Sequence, residues 1–213
     1  MNVPLLASFE ESDWESISTA FEHAPLLVQG QAWRETPEEN LRPGTVRIGW
    51  QPGALVVLAS LEDDALFTAA TGDNQHLWSL GDVFELFLRD LDREEYLELH
   101  VAPNGHRLQL RFPDSQAIRN LRNGDNKLEH YMVDAPLFDF AIRTMSGGWE
   151  VLARVPLTSL GIPAERKSGI SLLASFSRYD YSDGESQPVL SSTSAHKELN
   201  YHRQQEWTRL DLV

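Results

Sequence analysis

The chain is predicted to fold as one all-β domain, an antiparallel β-sandwich with a few short helical turns. Short segments of alternating apolar and polar residues recur along the sequence, and turn residues separate them about every ten residues. No apolar pattern with the helical period continues long enough for a βαβ unit, which disfavours a parallel sheet. The sequence contains no linker and no repeat, so it predicts a single domain over residues 1–213.

In the first half of the chain, the clearest predicted element is a β-hairpin. The predicted segments are a weak helix at 14–21, a strand at 29–33, hairpin strands at 46–50 and 54–63, and a loop at 64–81. Gln51-Pro52-Gly53 joins the two hairpin strands and is a strong turn signal. Trp78 stands near the end of the loop, just before the next strand.

Three consecutive strands are predicted at 83–89, 96–101 and 107–112, each alternating apolar with polar side chains. Pro103-Asn104-Gly105 has the chemistry of a tight turn between the second strand and the third. Because the apolar phases agree, we expect the polar residues of all three strands to share one face. A face of carboxylate, guanidinium, imidazole, amide and phenol groups suits a ligand made of hydroxyl groups. The alternative, which periodicity alone favours, is a merely solvated sheet face.

The second half of the chain begins with a polar, irregular segment at 113–136, which is predicted to be a long surface loop. The remaining predicted elements are hairpin strands at 140–145 and 149–157, a helical turn at 158–161, a long strand at 169–181 and a closing strand at 206–212.

The composition disfavours several classes of function. Lys and Arg number 18 against 32 Asp and Glu, and the resulting net charge of -14 disfavours nucleic-acid partners and binding to anionic membranes. The chain has no cysteine, so it cannot depend on disulfides. No segment approaches the roughly 18 apolar residues of a membrane span, and the first residues do not resemble a signal peptide. We therefore expect a soluble, cytoplasmic protein, or an extracellular or periplasmic one if a leader was removed.

Motifs for catalysis and cofactor binding are absent from the sequence. There is no GxSxG, phosphate-binding-loop or dinucleotide-binding fingerprint. His196 and His202 lack the spacing of a zinc site, and the few methionines disfavour haem. Asp63, Asp64 and Asp73 could supply oxygen ligands to a structural calcium ion, although no EF-hand spacing is present. Acidic loops without a metal are the alternative in so acidic a chain, and no other cofactor is expected.

Five segments, taken in order, resemble those of the family 9 carbohydrate-binding modules and the related DOMON-like sandwiches. They are Asp13-Trp14, the strand–turn–strand VRIGWQPGALVVLASLED, the block WSLGDVFELFL with its Trp followed by Asp-x-x-Glu, the strand WEVLARVPL, and the C-terminal segment SSTSAHKELNYHRQQEWTRLDL. The likeness begins near Asp13 and continues to the C-terminus, and it depends on the order of the segments more than on any one motif. The resemblance implies a jelly-roll-like sandwich that binds sugar, often at chain ends, and that sometimes holds structural calcium.

The resemblance also implies which residues bind the sugar. It places a stacking ring at Trp78 and a carboxylate that accepts hydrogen bonds from hydroxyl groups at Glu85. A pyranose has an apolar face and a rim of hydroxyls, so its site needs an aromatic plate and planar hydrogen-bonding groups. The further candidates on the expected polar face are Arg107, Arg111, Gln109 and His100. Two plainer interpretations are a Trp78 that packs as a plug and a Glu85 that pairs with an internal arginine.

The C-terminal loop departs from the family pattern. Members that sandwich a sugar supply a second Trp from this loop, whereas residues 190–201 contain no Trp and Tyr201 is their only aromatic residue. Asn200, Tyr201 and His202 are the predicted contribution of the loop. We therefore predict non-catalytic binding of a mono- or oligosaccharide or polyol, with a scaffold domain that has lost sugar binding as the alternative. Hydrolysis of a glycoside by Glu85 and Glu98 is a third interpretation, because neighbouring strands can supply the ~5 Å separation of a retaining pair.

Overall fold

A computed structural model describes residues 1–166, 168–181 and 187–213, which form two packed sheets and two short helices. The strands are β1 (Asn2–Val3), β2 (Leu26–Val28), β3 (Gly44–Gln51), β4 (Ala54–Glu62), β5 (Val83–Asp90), β6 (Tyr96–Val101), β7 (Arg107–Phe112), β8 (Asp139–Met145), β9 (Gly148–Pro156), β10 (Ser171–Asp180), β11 (Val189–Ser192) and β12 (Thr208–Leu212). The helices are α1 (Trp14–Ala20) and α2 (Ser115–Arg122). The prediction of an all-β sandwich is confirmed.

One sheet has seven strands and the other has five. The seven-stranded sheet has the order β1-β12-β10-β5-β6-β7, and β11 pairs with the second half of β10. The five-stranded sheet has the order β2-β3-β4-β9-β8. All pairings are antiparallel except that of β1 with β12. The main core lies between the sheets, where Leu86 and Leu99 belong to one buried cluster with Val57 and Val151.

Most elements lie where the sequence predicts them. The hairpins β3–β4 and β8–β9, the long β10, the closing β12 and helix α1 are all confirmed. The strand predicted at 29–33 lies at Leu26–Val28 instead, and β1 and β11 were not predicted. The segment predicted as an irregular loop contains α2, whose N-cap Asp114 accepts hydrogen bonds from the backbone N–H groups of Gln116 and Ala117.

The seven-stranded sheet is covered on its outer face as well. The outward residues Leu108, Leu110 and Phe112 of β7 belong to a second buried cluster, which also contains Ala117 and Ile118 of α2. The sheet is therefore sandwiched between the main core and a smaller outer core. Among the described residues, neither helix is long and apolar enough to cross a membrane.

The predicted polar face is wrong for the third of its strands, β7. In the observed register Val101 pairs with Arg107, and residues paired in this way point to the same side of a sheet. The polar residues Arg107, Gln109 and Arg111 therefore lie on the inward side with the apolar residues of β6. Five residues, 102–106, separate the paired positions. Side chains alternate between the two faces, so a connection shorter or longer by one residue would reverse the facing of β7. Its polar residues would then share the outer face with those of β6, as predicted.

Candidate functional site

A cavity of about 500 Å³ lies over the outer face of the seven-stranded sheet. Outward residues of β5, β6, β7 and β10 form its floor, and α2, the turn before β5 and the loop between β11 and β12 form its walls. The rings of Trp78, Phe87, Tyr179 and Tyr201 supply much of the apolar lining. The polar lining comes from Glu85, Glu98, Arg122, Asn200 and His202. This combination of rings and planar polar groups suits a ligand with both apolar and hydroxyl-bearing surfaces.

The position of Trp78 is set by the turn that precedes β5. Trp78 lies in a short 3₁₀ turn, Leu77–Ser79. Gly81 follows with a φ of 144°, and a Cβ there would lie 2.3 Å from the carbonyl oxygen of Phe67, so only glycine fits this close approach. The buried Asp82 accepts hydrogen bonds from the backbone N–H groups of Phe67 and Tyr181, at 2.5 and 2.6 Å. Gly81 and Asp82 thus hold two neighbouring segments against the turn.

The Trp78 ring is half-buried at the side of the cavity. His76 stacks on it with ring centroids 5.0 Å apart and an interplanar angle of 11°. His100 meets it edge-on, with centroids 5.6 Å apart. The hydroxyl of Tyr181 donates to the backbone carbonyl of Trp78 at 2.7 Å, which fixes the turn further. Trp78 is thus held from behind and from below while it still lines the cavity, and it is not a plug between the sheets.

Glu85, Glu98 and His100 form a buried charged group beneath the cavity, called here the floor cluster. Nδ1 of His100 lies 3.4 Å from Oε1 of Glu85, and Nε2 of His100 lies 2.8 Å from Oε1 of Glu98. None of the three residues is more than 6% exposed. The plainer interpretation, in which Glu85 pairs with an internal arginine, is therefore wrong, because an imidazole from the next strand takes that place.

The protonation of the floor cluster follows from its burial. Desolvation raises the pKa of Glu85 to about 8, against the attraction of His100. Desolvation also opposes ionisation of Glu98, but the surrounding cationic groups and the hydrogen bond with His100 outweigh it and lower the pKa of Glu98. Burial disfavours the charged form of His100, yet the two carboxyl groups raise its pKa overall. Near neutral pH the cluster therefore favours a protonated carboxyl at Glu85 and a carboxylate at Glu98, and the raised pKa of His100 favours its charged form.

His202 connects the floor cluster to the C-terminal loop. Its Nδ1 lies 2.9 Å from the hydroxyl of Tyr96, and its Nε2 lies 3.7 Å from Oε2 of Glu98. Burial is the main cause of a pKa lowered to about 4, so the ring is neutral above that pH. Phe87 meets the same ring edge-on, with centroids 5.3 Å apart. The loop is thus anchored to the sheet by His202.

Solved structures similar to this chain match over its whole length. A candidate carbohydrate-binding protein from Bacteroides uniformis is 11% identical, with a TM-score of 0.75, and the match covers 100% of this chain and 98% of that chain. A family 9 carbohydrate-binding module from Caldicellulosiruptor kristjanssonii, solved with cellotriose, is 16% identical, with a TM-score of 0.66 and coverage of 100% and 92%. A family 9 module from the same organism, solved with glucose, is 15% identical, with a TM-score of 0.67. That match covers 100% of this chain and 95% of the module.

These likenesses show the fold. The fold implied by the resemblance to family 9 modules is therefore confirmed, while the identities are too low to transfer a ligand. No family model matches the chain, and a search of curated proteins finds no match.

The structure brings together six of the nine predicted ligand-binding residues. Five of them line the cavity and His100 lies directly beneath it; the six are Trp78, Glu85, His100, Asn200, Tyr201 and His202. The loop aromatic Tyr201 is 5% exposed and faces the cavity from the wall. The exposed Leu199 lines the same cavity, so the loop that lacks the second Trp of the family pattern offers an aliphatic surface.

The other three predicted residues lie on the far side of the sheet and have partners there. Arg107 donates to the carbonyl oxygen of Phe138 at 2.8 Å, and Arg111 donates to Glu95 at 2.6 Å. Gln109 donates to the carbonyl of Val133 and accepts from a backbone N–H of the same segment. These three side chains bind partners on the inward side of the sheet. They therefore cannot reach a ligand in the cavity, which lies over the outer face.

Sequence reasoning missed part of the site. Phe87, Tyr179 and Arg122 line the cavity but were not predicted, and Glu98 was considered only as a catalytic partner. Phe87 and Glu98 alternate in phase with Glu85 and His100, so the strand pattern alone could have found them. Arg122 comes from a helix that was not predicted, and no local signal places that helix over the sheet.

The predicted calcium ligands do not form one group. Asp63 lies 2.8 Å from Nη2 of Arg178, Asp64 pairs with Arg42, and Asp73 accepts a backbone hydrogen bond at 3.0 Å. Among the described residues, the carboxylates within 4.8 Å of Asp63 that could share an ion are Asp82 and Asp180. The guanidinium of Arg178 already supplies the positive charge there, so these residues fit calcium poorly. The calcium site stays a prediction.

Proposed function

We propose that this protein binds carbohydrate, a mono- or oligosaccharide or a related polyol, in the cavity over the seven-stranded sheet. The observation that carries the proposal is that the half-buried ring of Trp78 and the carboxyl group of Glu85 line the same cavity, which is large enough for a sugar. The ring offers an apolar plate to the C–H face of a pyranose, and the carboxyl group offers a planar partner for its hydroxyls.

The polar groups of the cavity provide both donors and acceptors. A protonated Glu85 can donate and accept, the carboxylate of Glu98 accepts, and the side-chain amide of Asn200 does both. Hydroxyl groups are donors and acceptors at once, so this mixture suits them better than it suits an apolar ligand. The similar folds of Caldicellulosiruptor kristjanssonii modules solved with cellotriose and glucose support the same ligand class.

Hydrolysis of a glycoside is the second candidate, and the pKa values of the floor cluster are what favour it. A carboxyl with a raised pKa at Glu85 and a carboxylate at Glu98 would match the acid and nucleophile of a retaining enzyme. However, the imidazole of His100 contacts both groups and fills the space in which the anomeric carbon would have to lie. The geometry therefore favours binding without catalysis.

The test is a glycan array followed by titration of glucose and cellotriose, with tryptophan fluorescence as the readout. We expect weak binding, with Kd values on the order of 10 µM to 1 mM. The fluorescence change should disappear in Trp78→Phe and persist in Trp50→Phe, whose ring lies away from the cavity. Release of reducing sugar from an aryl glycoside would support hydrolysis instead. An array without a single bound glycan would favour a scaffold domain that has lost sugar binding.

A further inference from the structure

A groove lined by four arginines adjoins the proposed sugar cavity. It has a volume of about 600 Å³ and lies between α2 and the segment that leads into β12. The four are Arg89, Arg119, Arg122 and Arg203. Arg122, Asn200 and His202 line both spaces, so the groove and the cavity share a wall. No Asp or Glu of the described residues lines this arginine groove.

Three of the four guanidinium groups have amide partners in place of carboxylates. Arg89 donates to the side-chain oxygen of Gln204 at 2.8 Å, Arg119 donates to that of Gln116, and Arg122 donates to that of Asn200 at 2.9 Å. Within the part of the chain that the structure describes, none of the three has a carboxylate oxygen within 4.0 Å. Neutral amide oxygens orient a guanidinium without cancelling its charge. The groove therefore holds three guanidinium groups that no carboxylate contacts directly.

This concentration of positive charge stands out against the rest of the chain. Acidic residues outnumber basic ones by 32 to 18, so a basic residue on the surface has many carboxylates available as partners. Arg203, the fourth arginine of the groove, follows that general rule and pairs with Glu198 and Glu206. The other three do not, although Arg119 and Arg122 are exposed.

We propose that the arginine groove binds an oxyanion carried by the ligand, which makes the preferred ligand an acidic saccharide. The inference rests on the proposed function, since the sugar ring would lie in the cavity and its carboxylate, sulfate or phosphate group in the groove. A guanidinium presents a planar fork of donors that matches such oxyanions. Because the two spaces share Arg122 and Asn200, a substituent on the bound ring or on the next unit of a chain lies within reach of the groove.

A nucleic acid is the other polyanion to consider, and the charge of the chain disfavours it. Nucleic-acid affinity comes from many phosphate contacts along an extended basic surface. Here the positive charge is confined to one groove in a molecule of net charge -14. At physiological salt the Debye length is about 8 Å, so a single oxyanion in the groove feels its arginines more than distant carboxylates.

The test compares cellulose derivatives that share one backbone. Affinity electrophoresis at physiological salt would use hydroxyethylcellulose as the neutral polymer, and carboxymethylcellulose and cellulose sulfate as the acidic ones. We expect retardation by all three, with roughly tenfold stronger retardation by at least one acidic polymer. Arg119→Gln should remove that excess while it leaves the retardation by hydroxyethylcellulose unchanged, because Arg119 lines the groove and not the cavity. Arg143→Gln, on β8 of the opposite sheet, is the control with the same loss of charge.

Each outcome decides the proposal. Equal retardation by neutral and acidic polymers would overturn the arginine groove as an anion site and leave sugar binding intact. An excess for acidic polymers that survives in both Arg119→Gln and Arg122→Gln would overturn it as well. Binding of a single-stranded DNA oligonucleotide as strongly as cellulose sulfate would replace it with general polyanion binding. Absence of retardation by any of the three polymers would overturn this inference, whereas the proposed function would fail only if the glycan array also showed no bound glycan.

Discussion

Two buried charged clusters occupy the seven-stranded sheet, one on each of its faces. The floor cluster lies on the outer face, and its positive charge comes from the imidazole of His100. On the inner face Arg178 contacts Asp63 and Asp180, whose carboxylates lie within 4.8 Å of Asp82. We call these four residues the inner cluster. Both clusters contain several acids and one cation, and both are almost completely buried.

The difference between the clusters lies in the cation and in access from solvent. A guanidinium remains charged at any ordinary pH, so the positive charge that Arg178 supplies to the inner cluster does not change with pH. The cation of the floor cluster is instead an imidazole, which can lose its proton, and this cluster also opens onto a cavity. A permanent ion pair that solvent does not reach cannot respond to a ligand, whereas a titratable cluster beneath a cavity can do so. We therefore expect the inner cluster to contribute to stability and the floor cluster to contribute to the proposed binding of a ligand.

The largest effect is expected from Arg178→Met. Removal of one partner from a buried ion pair leaves uncompensated charge and typically costs about 3–5 kcal/mol. Denaturant unfolding should therefore show a large loss of stability, and a second change, Asp63→Asn, should restore part of it. His100→Met should cost less, because Glu85 can already carry a proton in the folded state. Equal losses of stability in Arg178→Met and His100→Met would show that the two clusters contribute equally to the fold, contrary to this expectation.

A smaller effect, on binding, is expected from Trp78→Ala. Stacking contributes roughly 0.5–1.5 kcal/mol beyond buried area, and truncation of an interface aromatic often costs about 2 kcal/mol. Sugar affinity should fall by roughly ten- to thirtyfold, measured by calorimetry, while the circular dichroism spectrum stays unchanged. Trp14→Ala removes a half-buried ring from α1 and should leave affinity intact. A Trp78→Ala variant that fails to fold would make the ring structural and remove it from the site.

The pH dependence of stability should separate the clusters further. The pKa of Glu85 rises from 4.5 to about 8 and that of Asp82 from 3.8 to about 7, mainly through burial. Between the pKa of the unfolded chain and that of the folded protein, each carboxyl keeps its proton only in the folded state. Its contribution to stability is therefore complete below the unfolded pKa and is lost as the pH rises through the folded pKa. The pKa of His202 is lowered to about 4, so this residue makes stability increase with pH. It does so only below about pH 6.5, the pKa of an unperturbed histidine.

Thermal or urea unfolding between pH 6.5 and 8.5 checks this expectation. Wild-type stability should decrease with pH, and Glu85→Gln should remove a part on the order of 1 kcal/mol over that window. Asp82→Asn should instead remove the part of the stability decrease that occurs below about pH 7. A wild-type stability that increases with pH over this range would contradict the assignment of a protonated Glu85.

The smallest effect is expected from chelation of calcium. Because Arg178 supplies the positive charge beside Asp63, EDTA should shift the melting temperature by less than about 2 °C, roughly the shift that 1 kcal/mol produces in a chain of this length. Sugar affinity should not change. A larger decrease that added calcium reverses would establish a structural calcium site in these loops.

The predictability of the molecule from its sequence differs between local and long-range features. Gln51-Pro52-Gly53 and the alternation in β5 and β6 are local, and they gave the correct hairpin and the correct outward position of Glu85 and His100. The facing of β7 depends on whether its connection has an odd or even number of residues, which the alternation does not reveal. The cavity wall formed by α2 depends on tertiary packing, so Arg122 could not be predicted.

The double burial of β5 and β6 has a consequence for the motions of the molecule. All residues of β6 and all but one of β5 are buried, because these strands carry a core on each face. Their amide protons should exchange with solvent only through the rarest openings, whereas exposed segments of the cavity wall, such as residues 197–199, should exchange quickly. A ligand therefore meets a floor whose conformational entropy was already lost on folding, and association has to order little beyond the rim.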